Sequence, residues 1–319
     1  MRLEAPLDPM LVKELFKFWE PIFGGPIDVT PETLLGSEGT QSRITVFTRR
    51  LGDNLAGACL VASSSTLPAL GGLGEVATSP EARRTGIATE LTKQAVDDFA
   101  DRGGQALFLG TVNHAAARIY FRLGWRKLAG ANLMVNVLDG RSPEEFMVDY
   151  FRGIGPVEVS EPSPADRAPM IPLLVSPHDW QALDFNTGMM STRYAVQDSC
   201  LGLYRRYAAL TDGGRGVWFC ASDDEGQLAG LSSARVDDEG GCQVDGFTRR
   251  DSLESWRELV QRAADWGGDI SASSIWATVS VEDDEKLALF ESAGFKIAGE
   301  GESFDLGGRE LGTLRIELA

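Results

Sequence analysis

Two stretches of this chain are repeated further along at nearly equal spacing. "TELTKQAVDDFA" (89–100) matches "RELVQRAADWGG" (257–268) at an offset of 168 residues. "NHAAARIYFRLGWRKLAG" (113–130) matches "DDEKLALFESAGFKIAGE" (283–300) at an offset of 170. An internal duplication is the simplest source of such self-similarity. It restricts the fold to one order of elements used twice. The length of 319 residues agrees, being about two ordinary domains. Hydrophobic residues make up 43%, enough apolar side chains for two cores.

The first half reads as α+β. Residues 9–23 form an amphipathic helix with Leu11, Leu15, Phe18 and Ile22 on one side. "SRITVFTRR" and "LAGACLVASS" alternate as strands and flank the turn signal "GDN". "GLGEVATS" is a third strand that breaks at Pro80. A helix follows from Gly86 to Asp101, its buried stripe Ala88, Leu91, Ala95 and Phe99. "QALFLGT" is a strand, "HAAARIYFRLG" a helix with Ala116, Ile119, Tyr120 and Leu123 on one face, and "WRKLAGANLMVNVLD" a closing strand or pair. Residues 139–165, rich in glycine and proline around a short helical piece, read as the linker. The second half repeats the order: a hairpin and strand over 216–248, a helix at 252–267, a strand, a helix at 283–294 and a closing strand. The expected division is 1–150 and 156–319.

Charge separates the halves. Residues 1–155 carry 16 Lys/Arg against 18 Asp/Glu, net −2, while residues 156–319 carry 14 against 29, net −15. A net charge of −17 opposes nonspecific nucleic-acid binding. A polyanionic ligand is repelled far more by the second half. No apolar run is long enough for a membrane span, and the N-terminus lacks the apolar segment of a signal peptide. Cys59, Cys200, Cys220 and Cys242 are scattered without a CxxC, which fits reduced thiols in a cytoplasm and no zinc site. Two histidines, His114 and His178, leave no basis for a histidine-rich metal centre.

"RRTGIA" (83–88) opens the helix that follows the third strand. The first N–H groups of a helix lack intrahelical partners, and the helix dipole adds partial positive charge there. Gly86 removes a Cβ, so the backbone can approach a phosphate closely. Arg83 and Arg84 can add charge-assisted bonds. Such a short stretch is equally compatible with an ordinary helix start after a polar loop.

Its neighbours are more specific. The strand "GEVATSP", then Arg83-x-x-Gly86-x-Ala88, then a strand, then Asn113-x-x-Ala116-x-x-x-Tyr120 ending in Gly124–Trp125, resembles the GNAT superfamily of acyl-CoA-dependent N-acetyltransferases. Trp125 stands where the family ends in phenylalanine. The resemblance is strong over residues 43–137. It implies two domains in tandem, each a mixed, mostly antiparallel sheet flanked by helices. It implies that the backbone of Val76, Ala77 and Thr78 pairs with the pantetheine arm. It implies that the amides of Arg84, Thr85, Gly86, Ile87, Ala88 and Thr89, with Arg83, hold the pyrophosphate. Asn113 and Ala116 would border the thioester, and Tyr120 would protonate the departing thiolate. A phenol keeps its proton near neutral pH until the thiolate needs it. On position alone, Tyr120 also reads as a core aromatic.

For the base, some relatives place a carboxylate at the position of Glu75. Strand alternation sets Glu75 opposite Val76 and leaves open whether that face is the cleft. His114 has suitable chemistry, and an amine that arrives neutral needs no base. The acceptor class implied is a small-molecule primary amine, with acetyl-CoA as co-substrate, no metal, and a monomer or homodimer. A different acyl chain, a hydroxyl or thiol acceptor, or a non-catalytic CoA-binding protein are the competing readings.

At the repeat offsets, Arg83, Gly86 and Ala88 fall on Asp251, Glu254 and Trp256, and Asn113 and Tyr120 fall on Asp283 and Phe290. Two carboxylates and an indole cannot cradle a pyrophosphate. The second half therefore reads as a degenerate GNAT repeat. Its acidity favours a cationic acceptor, and serves equally well as solubilising surface.

Overall fold

The computed structural model describes residues 1–319. Its first half runs β1 (Arg2–Glu4), α1 (Pro9–Phe23), α2 (Pro31–Leu34), β2 (Ser42–Leu51), β3 (Asn54–Ser64), β4 (Leu70–Thr78), α3 (Ile87–Asp101), β5 (Ala106–Gly110), α4 (His114–Arg122), β6 (Arg126–Lys127), β7 (Leu133–Val137) and α5 (Pro143–Arg152). The second half runs β8 (Glu158–Ser160), α6 (Arg167–Val175), β9 (Ala182–Asp184), β10 (Met189–Met190), α7 (Gly202–Ala208), β11 (Gly216–Ser222), β12 (Leu228–Val236), β13 (Cys242–Thr248), α8 (Trp256–Asp269), β14 (Ile275–Ser280), α9 (Asp284–Ser292), β15 (Phe295–Leu306) and β16 (Arg309–Leu318).

The strands form two seven-stranded mixed sheets flanked by helices, plus the small β9–β10 pair. The first sheet has the order β1-β2-β3-β4-β5-β7-β6. Read from β8, the second has the order β8-β11-β12-β13-β14-β16-β15, the same path strand for strand. Each sheet contains one parallel pair at the same place, β4 with β5 and β13 with β14. The two sheets thus share one topology.

Local chemistry sets the helix ends. Asp8 caps α1 by accepting from the Met10 and Leu11 amides at 2.9 and 3.3 Å, and Pro9 fills a position that needs no donor. Gly24, at φ +66°, ends the helix. The α1 face differs from the expected stripe: Val12, Leu15 and Trp19 are buried, one position round from Leu11, Phe18 and Ile22. In α3 the buried side is Ile87, Leu91, Thr92, Ala95 and Phe99, with Ala88 only half-buried. In α4 only Tyr120 is buried, while Ala116, Ile119 and Leu123 are half-covered. The helix expected from 252 begins as α8 at Trp256, after a 3-10 turn over Arg250–Ser255.

The apolar interior is not divided half by half. One cluster of 59 buried residues runs through both sheets, from Leu7 and Trp19 to Phe290 and Ile316. A smaller cluster of 15 lies under α3 and α4. Helix α6 joins the halves. All nine of its residues are buried, and it packs on β3 and β4 of one sheet and on β12 of the other. At its start, Arg167 forms a buried two-pronged ion pair with Glu38, and its guanidinium lies 4.7 Å over the Tyr204 ring.

Candidate functional site

Strand β4 leaves its parallel partner early. Pairing with β5 covers only Leu70–Gly72 against Ala106–Phe108, although β4 continues to Thr78. The remaining β4 edge, including Val76, Ala77 and Thr78, has no strand beside it. On the other side, the register with β3 slips between Ala58 and Leu60, which pair with Ala77 and Gly74. Glu75 sits at this bulge with φ +54°, a left-handed conformation uncommon for a side-chain-bearing residue.

The bulge turns Glu75 into the interior. Its side chain is nearly covered, and Oε1 accepts the Asp28 amide at 2.8 Å. Burial, with the nearby negative charge of Asp28, pushes the carboxyl up to about 7, against the opposing effects of the Asp28 N–H and Arg205. Burial likewise raises Asp28 above the usual carboxylate range, opposed by the Gly202 amide and by Arg205, Arg167 and Arg206.

Beyond β4, the loop reaches α3 through two left-handed residues, Arg84 at φ +67° and Gly86 at φ +92°. The first helical bond is from the Glu90 N–H to Gly86 O at 2.9 Å, and the amides from Arg84 to Thr89 have no backbone acceptor. No side chain caps this end. Arg83, Arg84, Thr85, Gly86 and Thr89 are exposed, Ile87 is buried and Ala88 half-buried. A Cβ on Gly86 would meet nothing within 4 Å, so its position faces open space. These unbonded amides fit a pyrophosphate, which needs several donors.

Asn113 caps α4, its Oδ1 accepting from Ala115 and Ala116 at 2.9 and 3.3 Å. Asn113 and His114 are exposed and line a cleft of about 450 Å³ with Arg118, Arg122, Lys127 and Asn132. Arg83–Thr89 and Glu75 lie outside that cleft. Tyr120 is 5% exposed and belongs to the cluster under α3 and α4, its ring 6.0 Å from that of Trp125. Burial, with Cys59 nearby, keeps its phenol protonated well above the ordinary range. Tyr120 therefore packs on the α3/α4 face of the sheet. Glu75 lies on the opposite face, with the α1–α2 loop.

The second half reaches that opposite face. Leu201 lies where Cβ atoms on Gly72 and Gly74 would be, 2.4 and 2.8 Å from them. A Cβ on Gly110 would be 2.9 Å from Asp198 O. Asn132 donates to the Asp198 carboxylate at 2.6 Å, and its amide donates to Gln197 O at 2.8 Å. Asp28 and Arg205 were missed by sequence reasoning. Neither lies in a motif, and only the fold brings them to Glu75.

The matching place in the second sheet is filled. At the 170-residue offset Glu75 falls on Asp245, Val76 on Gly246 and Ala116 on Lys286. Asp245 accepts the Phe185 amide at 2.8 Å and forms a fully buried ion pair with Lys286 at 2.6 Å. Lys286 also donates to Ala182 O and Leu183 O. The Trp256 indole donates to Gly246 O at 3.0 Å, covering the β13 edge past its pairing with β14. Phe290 packs edge-on against Trp256, ring centroids 4.9 Å apart.

Residues 12–125 match the family model described as acetyltransferase (GNAT) family. Among curated proteins none matches the chain. Similar solved structures include a spermidine N-acetyltransferase from Vibrio cholerae in complex with CoA and spermine, at 18% identity and TM-score 0.40, covering 50% of this chain and 94% of that one. They also include a GNAT-family acetyltransferase from Streptococcus pneumoniae, at 13% identity and TM-score 0.39, covering 50% of this chain and 97% of that one. The first half carries a domain of the acyltransferase class. No helix is long and apolar enough to cross a membrane.

Proposed function

We propose that the first half moves an acetyl group from acetyl-CoA to the primary amine of a small molecule by direct attack, and that the second half is a degenerate copy of the same domain. The observation that carries this reading is the contrast between two equivalent strand-to-helix junctions. At one, six successive amides have no backbone acceptor. At the other, Trp256 is buried and bonded across the junction to Gly246.

In this reading the amides of Arg84–Thr89 hold the pyrophosphate, with Arg83 and Arg84 adding charge. The free backbone edge at Val76–Thr78 pairs with the pantetheine arm. Bound acetyl-CoA supplies a thioester carbonyl for the amine to attack. Glu75, held near neutral in its proton affinity, takes a proton from the acceptor's ammonium. Glu75 and Tyr120 act from the two faces of the sheet, meeting where β4 parts from β5 beyond Gly72. As the C–N bond forms and the C–S bond breaks, Tyr120 gives its phenolic proton to sulfur, and the proton shed by the new amide nitrogen returns through solvent to the phenolate. Asn113 fixes the start of α4, which carries Ala116 and Tyr120 to the thioester. The net −15 of the second half favours a cationic acceptor.

Calorimetric titration with acetyl-CoA tests the reading. One molecule per chain is expected, and Gly86→Glu should abolish binding while the circular dichroism spectrum is kept. Thiol release with an amine panel that includes spermidine and spermine then identifies the acceptor. Two equivalent sites, or undiminished affinity in Gly86→Glu, would overturn it.

A further inference from the structure

We propose that the acceptor side of this site is completed by the second half, with Arg205 on α7 as the positioning residue that holds the Asp28 peptide against Glu75. The inference rests on the reading of Glu75 as the base.

A single peptide group carries the argument. Its carbonyl is that of Ile27, and its N–H is that of Asp28. The Arg205 guanidinium donates through Nη1 to Ile27 O, and the Asp28 N–H donates to Glu75 Oε1 at 2.8 Å. Arg205, the peptide and Glu75 are therefore bonded in series. A cation on the carbonyl polarises the amide, which becomes a better donor to the carboxylate. The arrangement spans 178 residues of chain, so no local turn could supply it.

Three contacts hold α7 in place for this task. Leu201 occupies the space left by Gly72 and Gly74 on β4. Gly202 sits so close to the loop that a Cβ there would lie 2.5 Å from Asp28 Oδ1. Arg167, from α6, pairs with Glu38 and lies over Tyr204, the neighbour of Arg205. The ionisable groups acting on Glu75 are Asp28 from the α1–α2 loop and Arg205 from α7. Those acting on Asp28 are Arg205, Arg167 and Arg206. Arg206 is the neighbour that acts by charge without bonding to the Ile27–Asp28 peptide, so it provides the control.

The test compares full-length Arg205→Ala, Arg205→Lys and Arg206→Ala with the parent chain. Amide exchange reads the Asp28 N–H. Carbon-13 NMR of labelled glutamate carboxyls, with Glu75 assigned by its loss in Glu75→Gln, reads the titration. In Arg205→Ala the Asp28 amide should exchange about tenfold faster. The Glu75 midpoint should rise by about half a pH unit. Arg205→Lys should recover most of both effects, Arg206→Ala should leave the exchange unchanged, and acetyl-CoA affinity should be unchanged in all three. Unaltered exchange and titration in Arg205→Ala overturn the proposal. Equal effects from Arg206→Ala also overturn it, because a diffuse field would then suffice. If Arg205→Ala shifts the midpoint while Glu75→Gln keeps full thiol release with the acceptor the panel identifies, the base reading fails and the positioning role stands.

Discussion

At the β4 bulge, Glu75 is held at φ +54° with its carboxyl against the Asp28 amide. A non-glycine residue in this region costs on the order of 1–3 kcal/mol, which the surrounding packing must sustain. The raised proton affinity has a definite sign. From the ordinary value near 4.5 up to about 7, the folded chain keeps a proton that the unfolded chain releases. Stability is therefore lost as pH rises through that window. Glu75→Gln keeps an oxygen for the Asp28 N–H and removes the titration. Relative to the parent, it should gain up to about 3 kcal/mol between pH 4.5 and pH 8. Urea unfolding at the two pH values measures this, and a pH-independent difference would count against it. Tyr120→Phe removes one oxygen from a packed face. Thiol release at saturating acetyl-CoA should fall about 10²–10⁴-fold with little change in acetyl-CoA affinity. A rate within about twofold of the parent would return Tyr120 to the role of a core aromatic. As candidates, Arg83, Gly86, Asn113 and Tyr120 were legible in the sequence, because residue type and spacing together carry the resemblance. Asp28 and Arg205 were not, because their environment exists only once distant segments meet.

Among the elements, periodicity found most strands and helices of both halves. It could not fix which side of α1 is buried, since Leu11, Val12, Leu15, Phe18 and Trp19 are all apolar and only packing selects among them. It passed over α6 entirely. "RAPMIPLLV" has two prolines and no polar face, so it lacks the stripe by which an amphipathic helix is found. Apart from Arg167 at its start, its apolarity on every side is the mark of an enclosed helix. In α9, Lys286 reaches Asp245 inside the second sheet with both side chains fully buried. Removing one partner of such a pair leaves an uncompensated charge, at a cost of about 3–5 kcal/mol. Lys286→Met should destabilise by that amount, and adding Asp245→Leu should recover much of the loss. Chemical denaturation of the single and double variants decides it, and a double variant no better than the single would refute the pairing argument.

For the whole molecule, the repeat announced two similar architectures but not how they are joined. The offsets of 168 and 170 residues concern equivalent elements within each half. The joint is made by segments outside the repeat's matched stretches, chiefly α6 and the run from Gln197 to Arg205. Its position also sets an order of events during synthesis. The chain emerges from the ribosome amino terminus first, at about 5–20 residues per second. Arg205 follows Ile27 by 178 residues. For the 116 residues between Thr89 and Arg205, roughly six to twenty-three seconds, a nascent chain has its unbonded amides but lacks the guanidinium that steadies the Asp28 peptide. During that interval Leu201 is also absent from the glycine face of β4, leaving that apolar surface open to the chaperones that attend unfinished chains.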